Sequence, residues 1–304
     1  MSKTSLSIFI AMLFSLTSMA SDIVIHPRAQ SHKDTRYLDL ITLLRKAMDE
    51  TTQTFGDYTL HAAKQVVSET KSIELLAAGT NILTVIWTSS SEEKESKLTP
   101  IRIPLRKGIL GYRLILVTEN TQEKLHDVES LDQLREFTVG QVKGWGDVAI
   151  YKHNQFTVAT SPTYESLFQL VATDKIALFP RGINEVFNEY RAHKGRFPRI
   201  KIEEKLLLYY PWPYYFFVAR ENDRLAKRIT SGLEKMIKNG SFDAIFNQFH
   251  QKAIEQARLS ERQLFVLENP LLPARTPLQR EELWLKLAVS PDGTPNESQE
   301  VTTE

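Results

Sequence analysis

From Ser21 onward the chain alternates short β-rich runs with segments of helical period, and this alternation restricts its fold more than any other feature. "DIVIHPR" (22–28) reads as a strand. Tyr37, Leu40, Ile41, Leu44, Ala47 and Met48 then recur on one face of a helix over 37–48, with Asp34 or Thr35 as its cap. "YTLHAAKQVV" gives a second strand, "SIELLAAG" a short helix ending at Gly79, and "ILTVIWTSS" a third strand. Strands joined through helices form a parallel sheet with right-handed crossovers.

"IRIPLRKGILGYRLILVT" is extended, with a turn at Gly108 to Gly111, and the pattern restarts beyond Thr118. "SLDQLREFTVGQV" gives a capped helix and a strand, "GDVAIYKHN" a helix, "TVATS" a strand, "YESLFQLVAT" a helix, "KIALF" a strand and "INEVFNEYRAH" a helix. Two successive α/β units predict two lobes. "KLLLYYPWPYYFFVAR" (205–220) is β-rich but holds two prolines, so it is not expected to be one regular central strand throughout and would serve as a crossing between lobes. A helix with Leu225, Ile229, Leu233, Met236 and Ile237 on one face stops at Asn239-Gly240. Ser241 then caps a last helix carrying Phe242, Ile245, Phe246 and Phe249. Residues 289–304 have turn formers and no apolar period, and are expected to form a disordered tail.

The first twenty residues read as a secretory signal: Lys3, an apolar core, then Ser18 and Ala20 at the spacing of a cleavage site, with the cut before Ser21. The alternative, an uncleaved anchor, needs a longer apolar core. The leader takes one of the 38 basic residues and none of the 37 acidic ones, so the mature chain is formally neutral. That excludes the basic excess of a nucleic-acid or anionic-membrane binder. With no cysteine, an exported chain must stand on its core alone, and about 280 residues are ample for one.

The ordered set of these features resembles the bacterial periplasmic solute-binding proteins of the type II class, above all the polar amino-acid-binding family. The segments that carry the resemblance are the leader, the βαβαβ opening, the extended crossing near 98–118, "SLDQLREFTVGQVKGWGDVAIYKHN", "SPTYESLFQLVATDKIALFPRGINEV" and "LEKMIKNGSFDAIFNQF". It covers roughly residues 22–255. It implies an α/β fold of two lobes, each a mostly parallel sheet flanked by helices, joined by two hinge crossings. Lobe 1 would be 21–117 plus 212–288 and lobe 2 118–211, with a small ligand held between them by hinge closure.

On that resemblance His26 and Arg28 reach the cleft after the first strand. Trp87, Thr88 and Ser89 (with Ser90) form the ligand loop after the third, where an indole covers an apolar part and hydroxyls hydrogen-bond. Read without it, His26 and Arg28 are surface loop residues and Trp87 a core tryptophan. In "KGWGDVAIY" Gly144 and Gly146 permit a tight turn, Trp145 projects, and Asp147 caps a helix and lines the cleft. Tyr209, Tyr210, Trp212, Tyr214 and Tyr215 lie on the second crossing, mostly for packing, with one or two rings such as Trp212 facing the ligand.

Two departures from the family bear on the ligand. The arginine expected beyond the third strand for a ligand carboxylate is replaced by "SSSEEKESK", and the acid expected in lobe 2 for a ligand amine by Arg181 of "ALFPRGINEVF". Arg181 is therefore expected to pair with an anionic group on the ligand, and Gly182 to let it approach the following helix.

The expected function is a non-enzymatic periplasmic binder of a small polar, anionic solute that serves an ABC permease. The alternative is a sensory or interaction protein docking on a membrane receptor. Monomers and no cofactor are expected. The seven histidines lack metal-ligand spacing and no G-x-S-x-G turn is present, so a zinc or serine hydrolase is unsupported.

Overall fold

The computed structural model describes residues 21–31 and 34–286. The leader and the tail fall outside the described residues. In chain order the elements are β1 (Asp22–His26), α1 (Leu38–Asp49), α2 (Thr52–Phe55), β2 (Tyr58–Ala62), α3 (Glu69–Ala77), β3 (Val85–Ser89), α4 (Glu92–Lys97), β4 (Thr99–Ile101), β5 (Tyr112–Thr118), α5 (Glu119–Leu125), α6 (Leu131–Arg135) and β6 (Val139–Val142). There follow α7 (Asp147–His153), β7 (Val158–Ser161), α8 (Tyr164–Ala172), β8 (Phe179–Gly182), α9 (Val186–His193), β9 (Ile200–Ile202), β10 (Leu206–Tyr209), β11 (Tyr214–Val218), α10 (Asp223–Lys238), α11 (Ser241–Ala257) and β12 (Gln263–Val266). Among the described residues no helix is long and apolar enough to cross a membrane.

Among the described residues four hydrogen-bonded sheets, two in each lobe, are flanked by helices. In lobe 1, β1 and β2 pair in parallel, β11 runs antiparallel between β3 and β4, and the Thr84 N–H donates to the Ile25 carbonyl where the two groups meet. In lobe 2 the order is β12-β10-β5-β8, β9 continues the edge of β5 that β10 begins, and a bridge from Val139 to Leu178 adds β6 and β7. The central strands are buried on both sides, as their unbroken apolar runs require. In β11, Phe216 and Val218 join α1 and α10 in one core while Tyr215 and Phe217 enter another. In β5, Leu114 and Leu116 alternate with Ile115 and Val117 in the same way.

This pairing moves two boundaries. β5, assigned to lobe 1 from the sequence, is central to the sheet of lobe 2, and β12 joins that sheet too. Both expected crossings are present, the second breaking at Pro211 and Pro213 between β10 and β11. Among the described residues the chain passes between the lobes twice more. α11 carries Phe242 in a core of lobe 1 and Ala257 in one of lobe 2, and after β12 the chain returns to bury Leu283 in lobe 1.

That return is a strap around the hinge. Asn269 donates to the Pro211 carbonyl on the second crossing, the Leu285 N–H donates to the Lys107 carbonyl on the first, and the Tyr112 hydroxyl donates to the Leu285 carbonyl. Two expected caps differ. Tyr37 stands at the start of α1 with no side-chain cap, while Asp34 accepts from Gln30 and Arg36, and Gly240 precedes α11 in place of Ser241. Gly240 adopts φ +78°, which ends α10 and turns the chain at once into α11.

Candidate functional site

At the end of the lobe 2 sheet nearest the crossings, one cation interrupts an apolar strand. Arg113 lies in β5 opposite Gly182 of β8 and Leu208 of β10, on the face of Ile115 and Val117. Its Nη2 is 2.8 Å from Asp147 Oδ1, to which the Tyr210 hydroxyl also donates at 2.5 Å. The guanidinium lies over the rings of Tyr210 and Trp212, at 5.2 and 5.7 Å. Burial is the largest single influence and disfavours its charge, but Asp147 together with Tyr210, Tyr151 and Glu185 outweighs that and raises its pKa above the ordinary arginine value. Burial likewise pushes the Tyr210 hydroxyl up.

Several buried polar groups of lobe 2 are incompletely satisfied. Arg113 Nε, both polar atoms of the Gln141 amide, the Tyr151 hydroxyl and Asn184 Oδ1 are buried without a hydrogen-bond partner. Gln141 shares the face of Val139 in β6, and Tyr151 is on α7 above it. Each unmade bond costs about 1–3 kcal/mol, so such a group of them is unusual in a folded chain.

Asp147 is not the cap of α7, as the sequence suggested. Gly146 holds that position, and the Asp147 side chain turns inward to Arg113 because a buried guanidinium needs a carboxylate more than an exposed helix start needs a cap. Above Gly146 lies the Trp212 ring: a Cβ on Gly146 would come within 2.9 Å of it and 3.3 Å of Leu271 in the strap.

Arg181 also differs from expectation. Its Nε and Nη2 donate to the two carboxylate oxygens of Glu189, both at 2.7 Å, and Nη2 is 3.1 Å from Glu185. Trp145, Tyr164 and Phe179 surround the guanidinium with ring centroids at 4.9 to 5.5 Å. Burial disfavours the charge, but the two carboxylates outweigh it. Its counter-charges come from Glu185 and Glu189, at and within the start of the helix that follows. Trp145 is thereby a wall of this cage. Gly182 has no room for a side chain, since a Cβ would meet Asn184 Oδ1 at 2.9 Å.

In lobe 1, Trp87 is a core residue, 6 % exposed, among His26, Tyr37 and Phe216. One edge of it lines a depression of 210 Å³ with Pro27, Ala29, Tyr37, Leu38 and Ile41. His26 is buried, with Nδ1 2.8 Å from the Pro27 carbonyl, and burial lowers its pKa. Arg28 is exposed and donates to the Ala63 carbonyl, tying the end of β1 to that of β2.

The Thr88 hydroxyl donates to Glu69 at 2.6 Å, and Lys94 donates to Glu69, Thr88 Oγ1 and both oxygens of Ser89. Burial opposes the charge on Glu69, but Lys94 and Thr88 hold its carboxyl below the ordinary value. Lys94 is thus a cation just beyond the third strand, within "SSSEEKESK"; neither it nor Arg113 nor Gln141 is among the residues expected from the sequence. The signal for Arg113 was present, a single charge inside the apolar run "GYRLILVT". Among the described residues no three histidine or acidic side chains converge as a metal site would require.

No protein-family model and no curated protein sequence matches the chain. Solved structures do. An ancestral arginine-binding protein bound to arginine aligns with TM-score 0.50 and 16 % identity over 76 % of this chain and 99 % of its own. A putative ABC-transporter binding component from Wolinella succinogenes complexed with lysine gives 0.51 and 15 % over 75 % and 94 %. A periplasmic binding protein of high arginine specificity from Salmonella typhimurium gives 0.50 and 11 % over 75 % and 99 %. The chain therefore has the two-lobed, periplasmic-binding-protein-like type II fold.

Proposed function

We propose that the chain is a non-enzymatic solute-binding protein, exported by its leader to the periplasm, that holds a small polar solute at the seam between its lobes and delivers it to an ABC importer. One observation carries this reading: Arg113 Nε, on the strand that pairs with β8 at Gly182, and the Gln141 amide, near the end of β6, are buried in lobe 2 with unmade hydrogen bonds, and strand ends are where open α/β sheets take ligands. Both donors and acceptors are among them, which suits a solute that offers both. Trp212 supplies an apolar face beside Arg113, and lobe 1 would contribute Ser89 and Lys94, with Thr88 positioning Lys94 and only the edge of Trp87 reaching the surface. An anionic group would meet Arg113 Nε; Arg181, Asp147, His26 and Arg28 hold the frame, and Trp145, Gly146 and Gly182 shape it.

The test is thermal unfolding of the mature chain against amino acids, carboxylates, sugars, amines and peptides. A cognate solute at a hundredfold excess over its dissociation constant adds about 2.7 kcal/mol of stability. That gain should disappear in Gln141→Leu and in Arg113→Lys, which keeps the charge but not Nε. No response to any class, or an unchanged response in both variants, rejects the reading.

The strap and α11 favour a second reading, a sensory or interaction protein that docks on a membrane receptor, because they add two connections that oppose lobe closure. Small-angle scattering separates the two: a cognate solute that compacts the chain supports capture by closure, and receptor binding with unchanged dimensions supports docking.

A further inference from the structure

The end of lobe 2 remote from the seam holds a second concavity, of 370 Å³, within the range of small-molecule sites. It lies beside β9, whose Ile202 pairs with Leu116 and Ile200 with Thr118, at the opposite end of β5 from Arg113. Its rim carries Arg191, Lys194, Arg258 and Arg262 against a single carboxylate, Glu204. Phe187 and Tyr190 supply an apolar wall.

Four cations meet here because α9 and α11 both end here, and the carbonyl end of a helix favours positive charge. Capping alone leaves part of that charge uncompensated. Arg262 is committed, with Nε donating to the Ala257 carbonyl and Nη1 to the Glu203 and Leu206 carbonyls. Arg258 faces Glu261, exposed, at 3.2 Å, and Glu204 is turned to Lys201 at 3.0 Å. Arg191 donates only to the Asn188 amide oxygen, and Lys194 lies over the Tyr190 ring. Among the described residues neither has a carboxylate within ion-pair distance. Arg258 is also held at φ +46°, a left-handed conformation uncommon for a residue with a side chain.

We infer that this concavity is a binding site for a small multivalent oxyanion, of the phosphate or phosphate-ester class, with Arg191, Lys194 and Arg258 as its charged contacts and Tyr190 as its apolar wall. Arginine forks and a lysine point charge suit a multivalent oxyanion, and the site is independent of any solute at the seam.

The experiment is isothermal titration of inorganic pyrophosphate into the full mature chain and into Arg191→Gln/Lys194→Gln, whose exposed positions leave the fold intact. A parallel arm uses vesicles containing phosphatidylglycerol. The expected result is saturable pyrophosphate binding that weakens at least about tenfold in the variant and falls with added sodium chloride. Vesicle binding that is lost in the same variant, without pyrophosphate binding, assigns the phosphate to a lipid headgroup. Absence of both, or equal binding by the two chains, overturns the proposal.

Discussion

Arg181 and Glu189 form a two-point ion pair, Nε and Nη2 each 2.7 Å from a carboxylate oxygen, within a cage of three aromatic rings. Both side chains are largely buried. The pair ties the cleft end of β8 to α9 and makes a conspicuous cation a part of the lobe 2 core.

Breaking such a pair from the Glu189 side leaves the buried guanidinium with Glu185 alone, 3.1 Å from Nη2, as its counter-charge. Glu189→Gln is therefore expected to lower the unfolding free energy by about 3 kcal/mol in urea titrations. Arg181→Met with Glu189→Met should cost less than Arg181→Met alone. If ligand affinity falls in Glu189→Gln no further than its lower stability explains, Arg181 has no ligand contact of its own.

α1 and α10 touch at Gly232, where a Cβ would lie 2.1 Å from the Ala47 carbonyl oxygen. Backbone cannot yield there as a side-chain tip would. Gly232→Ala is expected to force the helices apart and destabilise by about 1–3 kcal/mol or more, despite the better helix propensity of alanine. Chemical unfolding of the two chains measures it.

Asp39 accepts from Arg106 Nε at 2.6 Å and Nη2 at 2.9 Å, and lies 3.0 Å from His250 Nε2. Burial opposes its charge, but these partners hold its carboxyl well below the ordinary range. A carboxyl depressed by folding contributes stability above its unfolded value, about 3.9, and loses it as the pH falls through that value toward the folded one. Between pH 5 and 3 the wild-type chain should lose more stability than Asp39→Asn, which is weaker throughout because Arg106 stays buried and unpaired. Parallel pH curves for the two chains would refute this.

The strap is held by Leu283 in the lobe 1 core and is exposed at Leu278. Leu283→Ala should cost about 2–5 kcal/mol and Leu278→Ala little. Equal effects would mean that the segment does not pack on the lobe in solution.

Much of the local architecture was legible. The period of the apolar residues marked α1, α8 and α10, and the continuous apolar runs marked β5 and β11, because burial selects those patterns directly. Pro211 and Pro213 announced the break in the second crossing. The site was less legible. Trp87 reads equally as core or ligand face, and its burial settles on the core with only an edge at the 210 Å³ depression. Asp147 has the residue type and place of a cap, but a partner distant in sequence turns it inward.

By itself the sequence determined the longer helices, most of the strands and that two α/β units follow one another, since turn chemistry and apolar period are written in neighbouring residues; α4, α5, β9 and β12 carry no such pattern. Only the tertiary structure decided that β5 and β12 belong to the second sheet, that the end of the chain straps the hinge, and which carboxylate neutralises Arg113 and Arg181. The strand pairings and the pair of Arg113 with Asp147 join residues far apart in the chain, and even the nearby Glu185 and Glu189 reach Arg181 only once the turn after β8 is folded, so the energy that selects these partners appears when the fold brings them within a few ångströms.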